Sequence, residues 1–466
     1  MELRVFSLMT VVFLMIAAFV CATPAQLWKG MKIIILSRDA LITDYFELAG
    51  YGPAFLNAAL ILGIAIVSVI VTKIPFTGLT MAALFIDMGY GLWGKNPLNI
   101  LPVLLGTWLY ARMHHSHFSR YIYTALFGTC LAPLVTEMVY LLPFPMWQSL
   151  VCAVVMGIFV GFVLPPLSMH TASMHMGYNL YNVGFSGGIL AFIVVCVLKS
   201  FGLECETVFI WKTGRPLVLI LMLYFYFVLA MLLGFCCSEK PLVQYRKILK
   251  HPGRAVADFV IMNGAGATLF NMGTVGAAAL TYVLLIGGDL SGPVLGGMLT
   301  AMGFAAFGAH LKNYLPVLLG VFLSTFLTQY TPTTPGILLA ALFAVGLAPI
   351  AGQFGTVAGI VAGFLHSGIV MCTSTMYGGL NLYNNGFSAG WVAIIIVPVV
   401  ESFMRHFEDR KRRKMQLKAA AEAAGHKAAE AGHKAVEAGH KAVDDTLKVA
   451  EETWQKLTHG KKDDEK

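Results

Sequence analysis

A short polar segment that occurs twice restricts the fold of this chain more than any other feature. Gly177–Gly188 reads GYNLYNVGFSGG, and Gly379–Gly390, 202 residues later, reads GLNLYNNGFSAG. The longer ranges Gly161–Gly188 and Gly363–Gly390 align without a gap and share 14 of 28 residues. Both segments interrupt strongly apolar sequence. In hydrocarbon an irregular backbone is tolerated only where protein or a water-filled cavity satisfies its polar groups, which predicts a broken helix or a re-entrant loop.

The composition places these segments in a membrane. Of the 466 residues, 58% are hydrophobic and 12% are charged, with mean hydropathy +0.74, whereas soluble domains carry about 25% charged residues. Apolar runs recur from end to end, which predicts a polytopic protein of the lipid bilayer. Basic residues cluster in Lys240–Arg254 and Arg405–Lys414, next to apolar segments. They are typical of cytoplasmic anchors, so the net charge of +8 does not indicate nucleic acid binding.

The repetition extends well beyond the polar segment. Counterparts lie 214 residues apart in the first part of each copy: Asp44 and Asp258, Gly50 and Gly264, Asn57 and Asn271, and the ranges Asn99–Gly106 (NILPVLLG) and Asn313–Gly320 (NYLPVLLG). These matches indicate an internal duplication. The sequence predicts five parts: an N-terminal helix and loop (1–43), membrane repeat 1 (44–202), an extra span with a basic linker (203–257), membrane repeat 2 (258–403) and a cytoplasmic tail (404–466).

The predicted fold class is an all-α polytopic membrane protein with two repeats of about six transmembrane helices each. Fourteen apolar runs result if every one spans. Equivalent points in the repeats are then separated by seven spans, and an odd number gives the repeats opposite orientation, as in many transporters. Val5–Ala22 is either a cleaved signal peptide or a retained first helix, and we favour the retained helix. The charge distribution places the C-terminus in the cytoplasm.

The paired segments supply the candidate binding residues. On this orientation they approach from opposite sides and meet near the middle of the membrane. Amides, hydroxyls and rings in such a site suit a small polar solute or an ion, although the same residues also suit helix capping and close packing. The candidate substrate-binding residues are Asn179, Tyr181, Asn182, Ser186, Asn381, Tyr383, Asn384 and Ser388.

Ionisable residues inside apolar runs are candidates for proton or ion coupling, because buried charge is costly and commonly functional or paired. Asp87 lies in FIDMGYG, where repeat 2 has Ala301, and Glu137 lies in LVTEMVY. His170 and His366 flank the polar segments, and histidine is the side chain best suited to sense or relay protons. The alternatives are exposure at the end of a span for the acids and hydrogen-bonded packing for the histidines.

No pattern indicates a cofactor or a metal site. The eight cysteines form no CxxC pair, and His114, His115 and His117 lack acidic or cysteine neighbours. Heptads beginning at Gly425, Gly432 and Gly439 predict an exposed, Ala-rich helix in the tail. A homo-oligomer is compatible with the sequence.

The paired NLYNxGFSxG segments and the total length resemble an uncharacterised family of bacterial multi-pass membrane proteins, catalogued only as a domain of unknown function. The resemblance covers most of residues 40–403 and implies location in the bacterial inner membrane. The architecture alone is similar to inverted-repeat channels and transporters such as urea transporters. The sequence therefore predicts a transporter or channel for a small polar solute or ion. A membrane-embedded enzyme, and a scaffold that acts through its cytoplasmic tail, are the alternatives.

Overall fold

The computed structural model describes residues 2–205 and 207–459, and every regular element in them is a helix. The first half contains ten α-helices and the 3₁₀ turns Phe118–Tyr121 and Thr129–Leu131. The helices are α1 (Glu2–Cys21), α2 (Pro24–Ile35), α3 (Tyr45–Leu48), α4 (Tyr51–Val71), α5 (Gly78–Tyr90), α6 (Pro97–Met113), α7 (Ile122–Gly128), α8 (Ala132–Leu141), α9 (Met146–Met174) and α10 (Asn182–Ser200).

The second half repeats this order of long and short helices, with one 3₁₀ turn at Ala344–Leu347. Its helices are α11 (Leu217–Cys236), α12 (Pro241–Ile248), α13 (Phe259–Asn263), α14 (Ala265–Leu285), α15 (Gly292–Phe304), α16 (Leu311–Ser324), α17 (Pro335–Phe343), α18 (Ala348–Phe354), α19 (Thr356–Met376) and α20 (Asn384–His459). The chain forms two compact units, Met1–Pro398 and Val399–Lys466. In the second unit every side chain from Ser402 to Thr458 is exposed.

Ten helical stretches of the described residues are long and apolar enough to cross a membrane, five in each half. The predicted all-α, polytopic class is thus confirmed, but the prediction of about six spanning helices per repeat is too high. The difference lies in α5, α6, α15 and α16, which have 13, 17, 13 and 14 residues. At about 1.5 Å per residue each is shorter than the hydrocarbon core of about 30 Å.

Each half contains an interrupted pair of short helices. The chain breaks between α5 and α6 at Gly94 (φ 78°) and between α15 and α16 at Gly308 (φ 92°), a left-handed conformation that favours glycine. The side-chain amide of Asn57 donates to the carbonyls of Gly91 and Lys95, both at 2.7 Å. Asn271 makes the equivalent bonds across the second break. One amide therefore satisfies carbonyls at both ends of each break.

Helices α5 and α15 pack antiparallel at the centre of the first unit. A Cβ atom on Gly89 would lie 2.7 Å from the carbonyl oxygen of Gly296, so this approach requires glycine. The start of each helix is capped by an aspartate from the other half. Asp44 accepts from the backbone N–H of Gly292 (3.0 Å), and Asp258 accepts from that of Gly78 (2.9 Å). The two halves are therefore joined by reciprocal contacts.

The stretch predicted as an extra span in the linker 203–257 contains α11, which corresponds to α1. Helix α1 packs along α4, with Gly52 beside Ala18 and Ala22, and α11 packs along α14, with Gly266 beside Gly234. The two helices also meet, where the Thr10 and Tyr226 hydroxyls are 2.8 Å apart. The order of elements thus makes α11 the first helix of the second half.

Candidate functional site

The two repeated polar segments lie against each other. Asn179 donates its side-chain amide to the backbone carbonyl of Gly386 (3.2 Å), and Asn381 donates to that of Gly184 (3.4 Å). The side-chain oxygen of each asparagine accepts from the backbone N–H two residues later in its own segment. These reciprocal bonds use the polar capacity of both asparagines to fold and join the segments.

Two tyrosines form the centre of this contact. The rings of Tyr181 and Tyr383 are 4.9 Å apart, and each tyrosine is 1% exposed. A Cβ atom on Gly184 would lie 2.6 Å from the Tyr383 ring, so the absence of a side chain allows the segments to approach. Packing therefore explains Gly184, whereas Gly177 (φ 80°) and Gly379 (φ 73°) adopt the left-handed conformation that favours glycine.

Asn182 and Asn384 each join their segment to the preceding long helix by hydrogen bonds. The side-chain oxygen of Asn182 accepts from Thr171 (2.9 Å) and lies 2.9 Å from the His175 ring, while its amide donates to a carbonyl of α9. Asn384 accepts from Thr373 (2.6 Å) and Tyr377 and donates to a carbonyl of α19. Both side chains are already bonded within the protein, which matches capping better than direct contact with a solute.

The two predicted serines also have protein partners. Ser186 lies 2.7 Å from the Thr171 hydroxyl. Ser388 lies 3.0 Å from Nδ1 of His366, whose Nε2 lies 3.1 Å from the Asn385 oxygen. This order of contacts is that of a nucleophile, a base and an orienting group. All three side chains are buried, and none lines a described cavity, so the arrangement lacks access for an enzyme substrate.

Six aromatic rings surround the meeting point and come equally from both halves. Tyr383 lies 5.7 Å from Tyr90 of α5, and Tyr181 lies 4.7 Å from Phe304 of α15. The hydroxyls of Tyr90, Tyr181 and Tyr383 have no hydrogen-bond partner within the described residues. Buried hydroxyls are normally bonded, so these three could bond a ligand or water. The six rings are Tyr90, Phe127, Tyr181, Phe304, Phe343 and Tyr383.

A cavity of about 410 Å³ reaches this cluster, within the range of about 300–1,000 Å³ typical of ligand pockets. Its wall contains residues of both polar segments, and in the described part of the chain no Asp, Glu, Lys or Arg side chain lines it. Val256 at its edge is 82% exposed. A larger cavity of about 710 Å³, between α6, α8 and α9, is mainly apolar and touches neither segment. The residues that line the cavity include Tyr123, Thr124, Ala172, His175, Asn179, Tyr181, Asn182, Val183, Val256 and Tyr383.

Asp87 forms a buried ion pair that the sequence did not reveal. Its carboxylate lies 2.5 Å from Nζ of Lys95, which donates to the Thr129 hydroxyl at 2.7 Å. The two charged side chains are 2% and 1% exposed, and Nζ also lies 5.0 Å from the Tyr90 ring centre. Lys95 lies in the break between α5 and α6. Because α5 ends at Tyr90, before Lys95, the two side chains do not meet as neighbours on one helix, and only the fold brings them together.

The remaining candidates for coupling lie apart from this pair. Glu137 is buried in α8, and His170 is exposed on α9. His366 lies behind the second polar segment, with both ring nitrogens at hydrogen-bond distance from protein oxygens. The structure therefore does not gather the four predicted coupling residues into one cluster.

Asp39 is a second buried acid that sequence analysis missed, because it lies in the polar loop before α3. Its carboxylate accepts from five side chains, among them Tyr45 at 2.7 Å and Asn96 and Asn99 at 3.0 Å. Burial raises the pKa of Asp39 to about 7, and the hydrogen bonds oppose this shift. The carboxylate thereby fixes the start of α6 to the loop.

Comparison with known proteins identifies the family. The family model described as "Protein of unknown function (DUF1576)" matches residues 23–200 and 238–402. The chain belongs to the DUF1576 family. The two matched ranges each contain one polar segment, and the stretch between them contains α11. No curated protein and no solved structure matches the chain. Membership in DUF1576 assigns no activity, so a functional proposal depends on the geometry of the site.

Proposed function

We propose that this protein is a transporter or channel that moves a small uncharged polar solute between its two halves. The observation that carries the proposal is the cavity that reaches the contact of the two polar segments. Membrane transporters place their sites where interrupted helices of two repeats meet. Here both the interrupted helices and the polar segments meet at the same contact between the halves.

The lining of the cavity favours an uncharged solute over an ion. Its polar groups are hydroxyls, amides and the ring of His175. No Asp, Glu, Lys or Arg is among the described residues that line it. A charge that enters a low-dielectric site without a partner loses several kcal/mol or more. Tyr181 and Tyr383 are the strongest candidates for solute contact, since their hydroxyls have no hydrogen-bond partner among the described residues. Asn179, Asn182, Asn381 and Asn384 then act by positioning the two tyrosines.

The two halves have opposite orientation in this proposal. Equivalent helices that meet antiparallel across a two-fold axis must lie perpendicular to that axis. If the short helices α5 and α15 are oriented along the bilayer normal, the axis lies in the membrane plane, and the halves are inverted. Ten crossings return the chain to its starting side. The basic run Arg405–Lys414 supports a cytoplasmic tail in the bacterial inner membrane.

Of the four predicted coupling residues, Asp87 has the best structural support, because it forms a buried ion pair with Lys95. A net charge change at this pair alters the electrostatic energy of the core next to Tyr90 and Tyr383. We expect the pH dependence of transport to change in Asp87→Asn. An identical pH profile in wild type and Asp87→Asn contradicts this role.

The test is a flux screen in proteoliposomes with glycerol, urea, acetamide and monosaccharides as neutral probes. Thr124→Trp fills the cavity and should reduce flux of the transported solute at least tenfold, whereas Val197→Trp, on an exposed position of α10, should leave it unchanged. Tyr181→Phe and Tyr383→Phe test the hydroxyls. Failure of every probe to exceed the leak of empty liposomes, or wild-type flux in Thr124→Trp, refutes the proposal. Full flux in a chain that ends at residue 414 excludes the scaffold alternative.

A further inference from the structure

The cavity at the contact of the two halves lies beside the first polar segment. Residues of its wall have counterparts at the other polar segment, 202 or 214 residues away in sequence. Val256 is 82% exposed, but its counterpart Ile42 is 8% exposed. Val183 is half-buried, whereas its counterpart Asn385 is 5% exposed. The position equivalent to the cavity is therefore present in the second half and is closed.

The closed side is covered by a segment that has no counterpart in the other half. We name residues Val208–Gly214, between α10 and α11, the strap. Its backbone pairs with the loop before α3: Ile42 N–H donates to the carbonyl of Val208 (2.9 Å), and Ile210 N–H donates to that of Ile42 (2.8 Å). At the equivalent point after Ser402, α20 continues as a helix. The open side has no strap.

Side-chain and backbone bonds fix the strap at two places. The backbone N–H of Lys212 donates to the Asp44 carboxylate (2.9 Å), and its Nζ lies 2.8 Å from Glu47. Asp289 accepts from the Trp211 indole (3.1 Å) and from the backbone N–H of Gly214 (2.8 Å). Asp44 accepts from the first backbone N–H of α15, at Gly292, and Asp289 lies three residues before Gly292 in sequence. The strap thus ties the first half to the second at the closed side.

We propose that the second half holds a second vestibule, the other end of the solute path, which the strap closes in this structure. This proposal rests on the proposed transport function. The wall of the second vestibule consists of Tyr377, Asn381, Asn384 and Asn385, the counterparts of four residues around the open cavity. These four side chains carry amides and a hydroxyl, whereas most residues that line the open cavity are apolar. The ligand class is the same small, uncharged solute, one that both donates and accepts hydrogen bonds.

The experiment compares cysteines at the paired positions Val183 and Asn385, in a chain whose eight native cysteines are replaced. Proteoliposomes are treated with a charged, membrane-impermeant maleimide. With the strap intact, Val183→Cys should be labelled at least tenfold faster than Asn385→Cys. Trp211→Ala, Lys212→Ala and Asp289→Ala together remove the side-chain anchors and leave only the backbone bonds of the strap. They should raise the rate at Asn385→Cys at least tenfold, from the opposite face, and leave Val183→Cys unchanged.

Two results overturn the proposal: equal labelling of the two positions with the strap intact, and an unchanged rate at Asn385→Cys after removal of the anchors. Ala172→Cys and Ser374→Cys form a second pair of equivalent positions if Asn385→Cys does not fold. Ala428→Cys on the exposed tail controls for reagent activity. Labelling needs no transported solute, so a negative flux screen with the expected labelling refutes the transport function and leaves the second vestibule standing.

Discussion

Removal of either charge of the Asp87–Lys95 pair should be far more damaging than removal of both. Each side chain is almost completely buried, and each provides the other's only charged partner within hydrogen-bond distance in the described residues. Lys95→Met leaves a buried carboxylate, and Asp87→Ala leaves a buried ammonium. Loss of one partner from a buried pair costs about 3–5 kcal/mol. The double variant leaves no charge, and we expect its stability to lie within about 2 kcal/mol of wild type.

The second half provides the physical basis for this expectation. It builds the same break between short helices with Ala301 and Ala309 at the positions of Asp87 and Lys95. The measurement is unfolding in mixed micelles, followed by tryptophan fluorescence, as a double-mutant cycle. Additive losses in the double variant, or single variants as stable as wild type, refute the reasoning. Removal of the exposed Glu430–Lys434 pair, whose side chains are 72% and 76% exposed, is the control and should have little effect.

Three further predictions concern packing, the helix breaks and pH. Gly184→Ala places a Cβ atom against the rigid Tyr383 ring and should lower the free energy of unfolding by about 1–3 kcal/mol. The control is Gly425→Ala, whose Cβ atom would meet no atom within 4 Å and which should not destabilise the chain in the same unfolding assay. Asn271→Ala leaves two buried carbonyls without a donor, and each loss should destabilise the fold by about 1–3 kcal/mol. Asn271→Asp should be no more stable than Asn271→Ala, because a carboxylate has no N–H to donate. The pKa of Asp39 is raised to about 7 from 3.8, so the folded state holds a proton that the unfolded chain releases. The resulting stability is present below about pH 4 and is lost as pH rises through about 7, and Asp39→Asn should reduce this slope in unfolding measured against pH.

Hydropathy identified the membrane class but did not distinguish spanning helices from the short, paired ones. The apolar run around α5 continues from Phe76 to Gly94, long enough for a span, yet the helix ends at Tyr90. The break depends on Asn57, 34 residues away in sequence from the Gly91 carbonyl that it bonds. An interaction of this kind leaves no periodic signal, so only the three-dimensional fold reveals where the helix stops.

The duplication revealed which residues are equivalent, but it did not reveal what each of them contacts. Asp44 and Asp258 recur at a fixed spacing, and such aspartates usually cap the helix that follows them in sequence. They do so here, through Phe46 and Val260, and they also cap α15 and α5 of the opposite half. Contacts between the halves depend on their mutual docking, which sequence spacing within one half does not encode.

Differences between the halves point to function more directly than their similarities, because a residue that occurs in only one half is not required by the fold that both halves share. At the three positions equivalent to Asp87, Tyr90 and Lys95, the second half has Ala301, Phe304 and Ala309, which carry neither a charge nor a hydroxyl. Asp87, Tyr90 and Lys95 are consequently not needed to form the frame, and burial of their polar groups opposes folding. The strap likewise occurs on one side only. The Asp87–Lys95 pair, the Tyr90 hydroxyl and the strap are therefore the first places to look for residues that act in function rather than in folding.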